Sequence, residues 1–283
     1  MKNKFLSLIS TIGLFYAAAI WGSTFFIVKD SLQSINAVLL VAYRFLLASG
    51  ILAIYLLFKK AKLFDKFWYG AILGLFLWLL YVPQTIGLKI TSSANSGFIT
   101  GLFVVFVPIF SYLFFRQKPS RNKLIAVGLS VAGLFILTGG LKSYNYGDVI
   151  TLITAMAYAI HILLADKFVK KKLNPFVLTF QQFFVVGVLS LVTSFLFSLP
   201  FSFGGINVLY TLIFLAIFPT LSAFAIQMFA QKTVSATKVS LIFALEPVFA
   251  AIFAWTLGNE LFVVTQAFGG ALIVAGMMVS ELS

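Results

Sequence analysis

The sequence predicts an all-α membrane protein of ten transmembrane helices, arranged as two inverted five-helix repeats with both termini in the cytoplasm. The chain is 61% hydrophobic and 10% charged, whereas soluble domains have roughly 45–50% and 25%. Apolar runs of about 20 residues, the length that a helix needs to cross a bilayer, recur along the chain. Basic residues collect in alternate connecting segments. We predict that the first repeat covers residues 1–142 and the second covers residues 143–283.

The apolar runs supply the ten spans in order. We interpret the first run as a retained helix, because it is longer than the apolar core of a signal peptide and no small-residue cleavage site follows it. Ten spans take up nearly all of the 283 residues, which leaves no room for a soluble catalytic domain. The runs lie near residues 8–28, 36–58, 67–88, 93–115, 122–141, 147–168, 174–199, 206–228, 235–257 and 261–280.

The net charge of +13 is explained by topology. If the N-terminus is inside and the spans alternate, 16 of the 20 basic residues fall in inner segments. Such a bias sets the orientation of a membrane protein, so we expect no nucleic-acid partner. The outer segments hold Lys29, Lys89 and Lys142, and Arg44 falls within a span. The inner set is Lys2, Lys4, Lys59, Lys60, Lys62, Lys66, Arg116, Lys118, Arg121, Lys123, Lys167, Lys170, Lys171, Lys172, Lys232 and Lys238.

Prolines inside the spans indicate an internal duplication. Pro83 in span three corresponds to Pro219 in span eight, and Pro108 in span four corresponds to Pro247 in span nine. A proline removes a backbone hydrogen bond, so all four positions are predicted helix kinks. Two tandem units of five spans must enter the membrane in opposite orientations. Inverted repeats with interrupted helices in matching positions indicate a transporter with a central site.

Two charged residues fall deep within predicted spans. Glu246 lies in the middle of the apolar run Val239–Leu257, and Arg44 lies eight residues into span two. A charge at such a depth is costly unless it is paired, hydrated or protonated, so both residues are functional-site candidates. We expect the two to pair. For Arg44 the alternatives are a structural anchor and a substrate or gating contact. In the pair Glu246 is a fixed counter-ion, and the alternative is that it carries protons.

Polar and aromatic residues in the spans are candidates for lining a solute cavity. Rings and amides with few fixed charges favour a zwitterion or a polar neutral metabolite. For the aromatic residues the alternative is packing, and for His161 the alternatives are a fixed hydrogen-bonded role and a proton-carrying one. With no cysteine, one histidine and seven acids, we expect no metal site and no cofactor. The cavity candidates are Trp21, Trp78, Tyr81, Gln84, Asn95, Tyr158, His161, Gln182 and Gln227.

The chain contains, in this order, the strings Trp21-Gly22-Ser23-Thr24-Phe25, Tyr43-Arg44-Phe45, Gln84 to Lys89, Ser93 to Leu102, Glu246-Pro247-Val248-Phe249 and Gly258-Asn259-Glu260. Together these strings resemble the EamA-type branch of the drug/metabolite transporter superfamily. The resemblance implies ten helices in two inverted repeats, with a central cavity lined mainly by spans one, three, four, six, eight and nine. It also implies alternating-access movement of small metabolites, with export of amino acids or related compounds in many members. The element at residues 258–260 has no counterpart in the first half, so we expect Glu260 to be structural.

Together these features predict a secondary transporter for a small organic solute in the cell membrane, as in a bacterial inner membrane, and they favour export. An uptake permease of the same fold is the alternative. A membrane-embedded enzyme is disfavoured, because Asp148 and Asp166 are predicted at opposite ends of one helix and no Gly-x-Ser-x-Gly elbow is present. Asp166 is expected at the inner interface or in an inner gate. The expected partners are the solute and the lipid bilayer; proton coupling and oligomeric state stay open, with a monomer as the simplest expectation.

Overall fold

The computed structural model describes residues 2–140, 145–171, 173–201, 205–256 and 261–281, and every regular element in these ranges is helical. Lys142, Lys172 and the string Gly258-Asn259-Glu260 lie outside the described residues, as do the side chains of Lys2 and Lys4. The first half contains α1 (Lys2–Gly22), α2 (Thr24–Ser31), α3 (Ala37–Phe58), α4 (Phe67–Ile90), α5 (Ser93–Gly101), α6 (Phe103–Phe115) and α7 (Arg121–Leu137). The second half contains α8 (Tyr146–Lys170), α9 (Pro175–Leu196), α10 (Gly205–Leu215), the π-helical segment Ala216–Ser222, α11 (Ala223–Ala230), α12 (Ala236–Phe243), α13 (Glu246–Thr256) and α14 (Val264–Glu281).

The lengths and composition of these helices make the chain a multi-pass membrane protein. Eight helical segments are long and apolar enough to cross a bilayer, and Val264–Ser280 is a shorter apolar helix. Large apolar side chains such as Phe58, Phe195 and Leu196 are exposed on the outside of the bundle. A soluble monomer rarely exposes so much apolar surface, whereas lipid solvates it.

Polar residues just before the apolar runs determine where many of the helices begin. A side-chain oxygen at the N-cap accepts a backbone N–H that the first helical turn leaves unpaired. Asn145 forms the most complete of these N-caps, because it makes a capping box with Asp148 at the start of α8. Pro175 begins α9, a position at which the missing N–H of proline costs nothing. The capping residues are Asn36, Ser92, Ser120, Asn145, Asn174 and Ser235.

Spans one, four, eight and nine are interrupted. Span one breaks at Ser23, between α1 and α2, and span four breaks at Leu102, between α5 and α6. In span eight the π-helical segment separates α10 from α11, and in span nine the turn at residues 244–245 separates α12 from α13.

The prolines coincide with these interruptions only in the second half. Pro219 lies in the π-helical segment and Pro247 is the second residue of α13. α4 continues as one helix through Pro83, and in span four the break is at Leu102 while Pro108 lies within α6. The kinks predicted at Pro83 and Pro108 therefore do not coincide with a break in the helix. A proline removes one hydrogen bond without forcing a break, because neighbouring groups in a membrane bundle can satisfy the freed carbonyl.

The two halves pack through matching helices. α3 contacts α9, and α7 contacts α14, so these helices of the first half meet the helices at the corresponding places in the second half. α4 packs against α8, and α1 packs against α11, which places span three beside span six and span one beside span eight. This pattern of contacts is the one expected when two similar halves are related by a two-fold axis.

Glycines allow the closest of these contacts, between α7 and α14. A Cβ atom on Gly133 would lie 2.6 Å from the Gly269 carbonyl oxygen and 2.9 Å from the Ile273 nitrogen. A Cβ atom on Gly269 would in turn lie 2.7 Å from the Gly133 carbonyl oxygen and 2.8 Å from the Leu137 Cα. Small residues permit such backbone approach between membrane helices.

Candidate functional site

A cavity of about 40 Å³ lies between the two halves. All six spans that the family resemblance implies contribute to its wall, and span two adds Arg44. The volume has room for a few water molecules, whereas sites for drug-sized ligands enclose about 300–1,000 Å³. A larger solute therefore fits only after the helices separate. The lining residues are Trp21, Thr24, Phe25, Val28, Arg44, Leu80, Tyr81, Gln84, Thr85, Leu88, Thr100, Tyr158, Phe224 and Glu246.

Arg44 enters the cavity from α3 and is 4% exposed. Its Nε donates a hydrogen bond to the Thr220 hydroxyl oxygen. Its guanidinium carbon lies 4.8 Å from the centroid of the Tyr81 ring and 5.7 Å from that of Phe45, which allows cation–π attraction. The Nη2 nitrogen has no hydrogen-bond partner, so one end of the guanidinium is available to a ligand.

The π-helical segment holds Arg44 through Thr220. Pro219 has no N–H to donate to the Leu215 carbonyl, and the Thr220 hydroxyl donates to that carbonyl at 2.7 Å. The same segment is fixed to span one, since Trp21 Nε1 donates to the Pro219 carbonyl at 2.6 Å. One irregular turn therefore anchors two of the residues that line the cavity.

Glu246 reaches the cavity from the second half of the chain, where it is the first residue of α13 after the break in span nine. It is 8% exposed, and a helix N-terminus favours a negative charge at that position. α1 approaches the α13 backbone closely here, because a Cβ atom on Gly22 would lie 2.6 Å from the Glu246 carbonyl oxygen.

The predicted ion pair between Arg44 and Glu246 is absent. In the described part of the chain the one salt bridge is Lys170–Asp166, at 2.7 Å between an exposed lysine and a partly buried aspartate in the last turns of α8. Packing of α3 against the π-helical segment directs Arg44 to Thr220, whereas α13 packs against α1 and keeps Glu246 with that helix. A buried arginine and a buried glutamate thus line one cavity without a salt bridge between them.

Five aromatic rings contribute to the remaining wall. The Trp21 ring centroid lies 5.1 Å from that of Phe224 and 6.3 Å from that of Tyr158. The Tyr158 hydroxyl is buried without a hydrogen-bond partner. Gln84 donates from Nε2 to the Thr100 hydroxyl at 3.1 Å, which places an amide and a hydroxyl on the same wall.

The structure brings Trp21, Tyr81, Gln84 and Tyr158 together in the cavity with the two charged candidates. The other five predicted cavity residues are not among its lining residues. Trp78 packs against the apolar core, with its Nε1 unpartnered. Asn95 belongs to a polar cluster around Asp148, and His161, Gln182 and Gln227 are fully buried elsewhere in the bundle.

The Asp148 cluster joins the two halves. Asp148, 2% exposed, accepts hydrogen bonds from the Thr91 hydroxyl at 2.5 Å and from the Asn145 backbone N–H at 2.9 Å. Asn95 Nδ2 donates to its two carboxylate oxygens at 3.4 and 3.5 Å. The cluster ties the turn between α4 and α5 to the start of α8, so it restrains the halves at that end.

Sequence reasoning missed Thr220, Thr100 and Phe224. Thr220 follows Pro219 as Gln84 follows Pro83, so the internal repeat contained a signal for it. Thr100 and Phe224 carry no comparable signal. Within the described residues no group of three or more His, Asp or Glu side chains could hold a metal ion.

Comparisons with known proteins place the chain in a family. The model of the EamA-like transporter family matches residues 8–139 and 145–281. An uncharacterized transporter of Archaeoglobus fulgidus is 30% identical over 275 residues, covering 97% of this chain and 86% of that protein. The uncharacterized transporter YyaM of Bacillus subtilis is 27% identical, covering 92% of this chain and 89% of that protein. A crystal structure covering 96% of both chains superposes with a TM-score of 0.81 at 19% identity, which shows the same fold. The chain belongs to the EamA-like transporter family and is a membrane transporter, not an enzyme.

Proposed function

We propose that this protein is a secondary transporter that exports a small zwitterionic or polar neutral metabolite by alternating access. The observation that carries the proposal is the placement of Arg44 and Glu246 in one buried cavity without a salt bridge between them. Charged groups inside a membrane bundle are retained for function in most cases, because burying them is costly.

The chemistry of the cavity fits a zwitterion. The unpartnered Arg44 Nη2 is suited to a solute carboxylate, and Glu246 is suited to an ammonium group. The rings of Trp21 and Tyr81 add apolar faces that also attract a cation. A polyanion would meet one arginine and a repelling carboxylate, so we expect it to bind poorly.

The predicted topology determines which side of the membrane the cavity faces. With the N-terminus inside, the lining residues of span one (21–28) and span three (80–88) belong to the outer halves of their helices. The proposed state therefore faces outward and is nearly closed. α7 and α14 complete the proposed count of ten spans, with both termini in the cytoplasm.

Alternating access is supported by the two-fold packing of the halves and by the interrupted helices beside the cavity. Glu246, with no basic partner within salt-bridge distance, is the group we propose for proton coupling if the transport is proton-driven. We propose a cell membrane location, of the bacterial inner membrane type, and a monomer as the working unit.

The test combines ligand-induced stabilisation with flux. Purified protein is screened by thermal shift against amino acids and polar neutral metabolites, and hits are assayed by counterflow in liposomes. A ligand at 100 times its Kd stabilises the folded state by about 2.7 kcal/mol. We expect this stabilisation in the native protein and not in Arg44→Gln or Glu246→Gln, while Lys170→Gln, an exposed charge at the helix end, keeps it.

Comparison of right-side-out and inside-out vesicles gives the direction of net flux and separates export from uptake. If zwitterionic and polar neutral compounds neither stabilise the protein nor exchange, the proposed function is wrong. If they exchange equally well in both charge variants, the proposed roles of Arg44 and Glu246 are wrong.

A further inference from the structure

Phe224 separates the cavity from a second group of buried polar residues. The Phe224 side chain is 1% exposed and lines the cavity, where its ring lies 5.1 Å from that of Trp21 and 6.0 Å from that of Tyr81. The same ring lies 6.0 Å from the imidazole of His161 at an interplanar angle of 88°. His161 is not a lining residue of the cavity, so the phenyl ring is the partition between the cavity and the histidine.

The residues beyond this partition have unused hydrogen-bonding capacity. His161, Gln182 and Gln227 are all 0% exposed. His161 Nε2 and Gln182 Oε1 share a hydrogen bond of 2.7 Å. His161 Nδ1, Gln182 Nε2 and Gln227 Oε1 have no partner. A buried unpaired polar group costs about 1–3 kcal/mol, so three of them on helices that enclose one region indicate that they find partners in another conformation.

Phe224 belongs to α11, and the irregular segment before α11 could let that helix turn. Phe224 is the second residue of α11, which directly follows the π-helical segment containing Pro219. π-helical turns occur frequently at functional sites, and a proline leaves the backbone one hydrogen bond short. Gln227 lies one helical turn after Phe224 in α11, which packs against both α8 and α9. A turn of α11 about this segment would move Phe224 and Gln227 together, relative to His161 and Gln182.

We propose that His161, Gln182 and Gln227 form a second binding site for the transported solute, on the far side of Phe224 and closed in this structure. This inner site has one amide donor and two acceptors that are unpaired, so it takes neutral hydrogen-bonding groups such as hydroxyls, amides and water. It differs in this respect from the charged cavity around Arg44 and Glu246. The identity of the ligand rests on the proposed transport function, whereas access to the site does not.

The test measures access of a thiol reagent to each side of Phe224. The chain contains no cysteine, so a single introduced cysteine reports its own position. We would make Gln182→Cys and Gln227→Cys and expose inside-out membrane vesicles to a membrane-impermeant, cationic methanethiosulfonate. We expect both to react at about 0.1–10% of the rate of an exposed cysteine, the range of populations typical of a minor conformation. Ser130→Cys is the matched control, because Ser130 is equally buried and unpartnered but lies at the contact of α7 with α14.

A second set of variants tests the partition itself. In right-side-out vesicles, Gln182→Cys should stay unreactive, and adding Phe224→Ala should raise its rate by at least about tenfold, towards that of a minor open state. Phe183→Ala is the control, since Phe183 is fully buried and touches the Phe224 ring without lining the cavity. A rate increase in both phenylalanine variants would mean general loosening and would overturn the partition.

The inner site is refuted if both cysteine variants, eluting from gel filtration as folded protein, react no faster than Ser130→Cys from the cytoplasmic side. Should one variant fail to fold, the other decides. Reactivity without solute counterflow would leave the inner site in place and remove the proposed transport function. Solute counterflow without reactivity of the cysteines would refute the inner site and leave the proposed transport function in place.

Discussion

Replacing Thr220 with valine tests whether the π-helical segment holds Arg44 in place. The substitution keeps the side-chain shape and removes a hydroxyl that accepts from Arg44 Nε and donates to the Leu215 carbonyl. A hydrogen bond to a charged group contributes about 1.5–3 kcal/mol, and the carbonyl loses its donor as well. We expect the free energy of unfolding to fall by about 2–4 kcal/mol. At roughly 2–4 °C per kcal/mol, the melting temperature should fall by about 4–16 °C.

The assay is thermal unfolding of detergent-solubilised protein, followed by the fluorescence of its four tryptophans. Thr220→Ser keeps the hydroxyl and should melt near the native temperature. Thr179→Val is the matched control, because Thr179 is equally buried and its hydroxyl donates at 2.7 Å to the Pro175 carbonyl without a charged partner. If Thr220→Val melts together with Thr179→Val, the hydroxyl does not hold the guanidinium and the account of Arg44 is wrong.

Three further predictions use the same melting assay. Gly133→Ala forces a methyl group against immobile backbone atoms and should cost about 1–3 kcal/mol. The control Gly50→Ala meets nothing within 4 Å and should be neutral or slightly stabilising. Equal melting temperatures of the two variants would refute the close contact. Asp148→Asn should cost about 1–3 kcal/mol, because the amide replaces one oxygen of a carboxylate that accepts several hydrogen bonds. Asp30→Asn, at an exposed position, should stay within about 0.5 kcal/mol, and a matching loss there would argue against the cluster. Lys170→Ala removes an ion pair whose lysine is exposed and should cost less than about 1 kcal/mol, so a larger loss would show that the pair is structural.

The sequence predicted the helical class, the location of most spans and the presence of two charges within them. These properties depend on local composition and on helix length, which hydropathy reports directly. It did not predict that Arg44 and Glu246 remain apart, because that depends on how far α3 and α13 are rotated about their own axes. Both side chains are buried in the bundle, and the partner of Arg44 is a hydroxyl.

The candidate site was predicted in part for a similar reason. Tyr158 and His161 lie on one face of α8, as their spacing indicated, yet Phe224 from another helix separates them into different regions. A side chain contributed by a distant part of the chain cannot be inferred from the spacing of its neighbours. The π-helical turn at Pro219 could likewise not be predicted from the sequence. A proline indicates that the helix is disturbed, but it does not indicate whether a kink, a break or a π-helical turn results.

The contact between α7 and α14 has a consequence for the origin of the fold. Gly133 faces the Gly269 carbonyl and Ile273, while Gly269 faces the Gly133 carbonyl and Leu137, so each glycine meets the other and the residue four positions beyond it. Self-complementary contacts of this kind are characteristic of isologous dimers. A separate chain of five helices, inserted into the membrane in both orientations, could make the same contact with its own copy. We therefore expect the two halves, expressed as separate chains, to assemble through this contact without a covalent link.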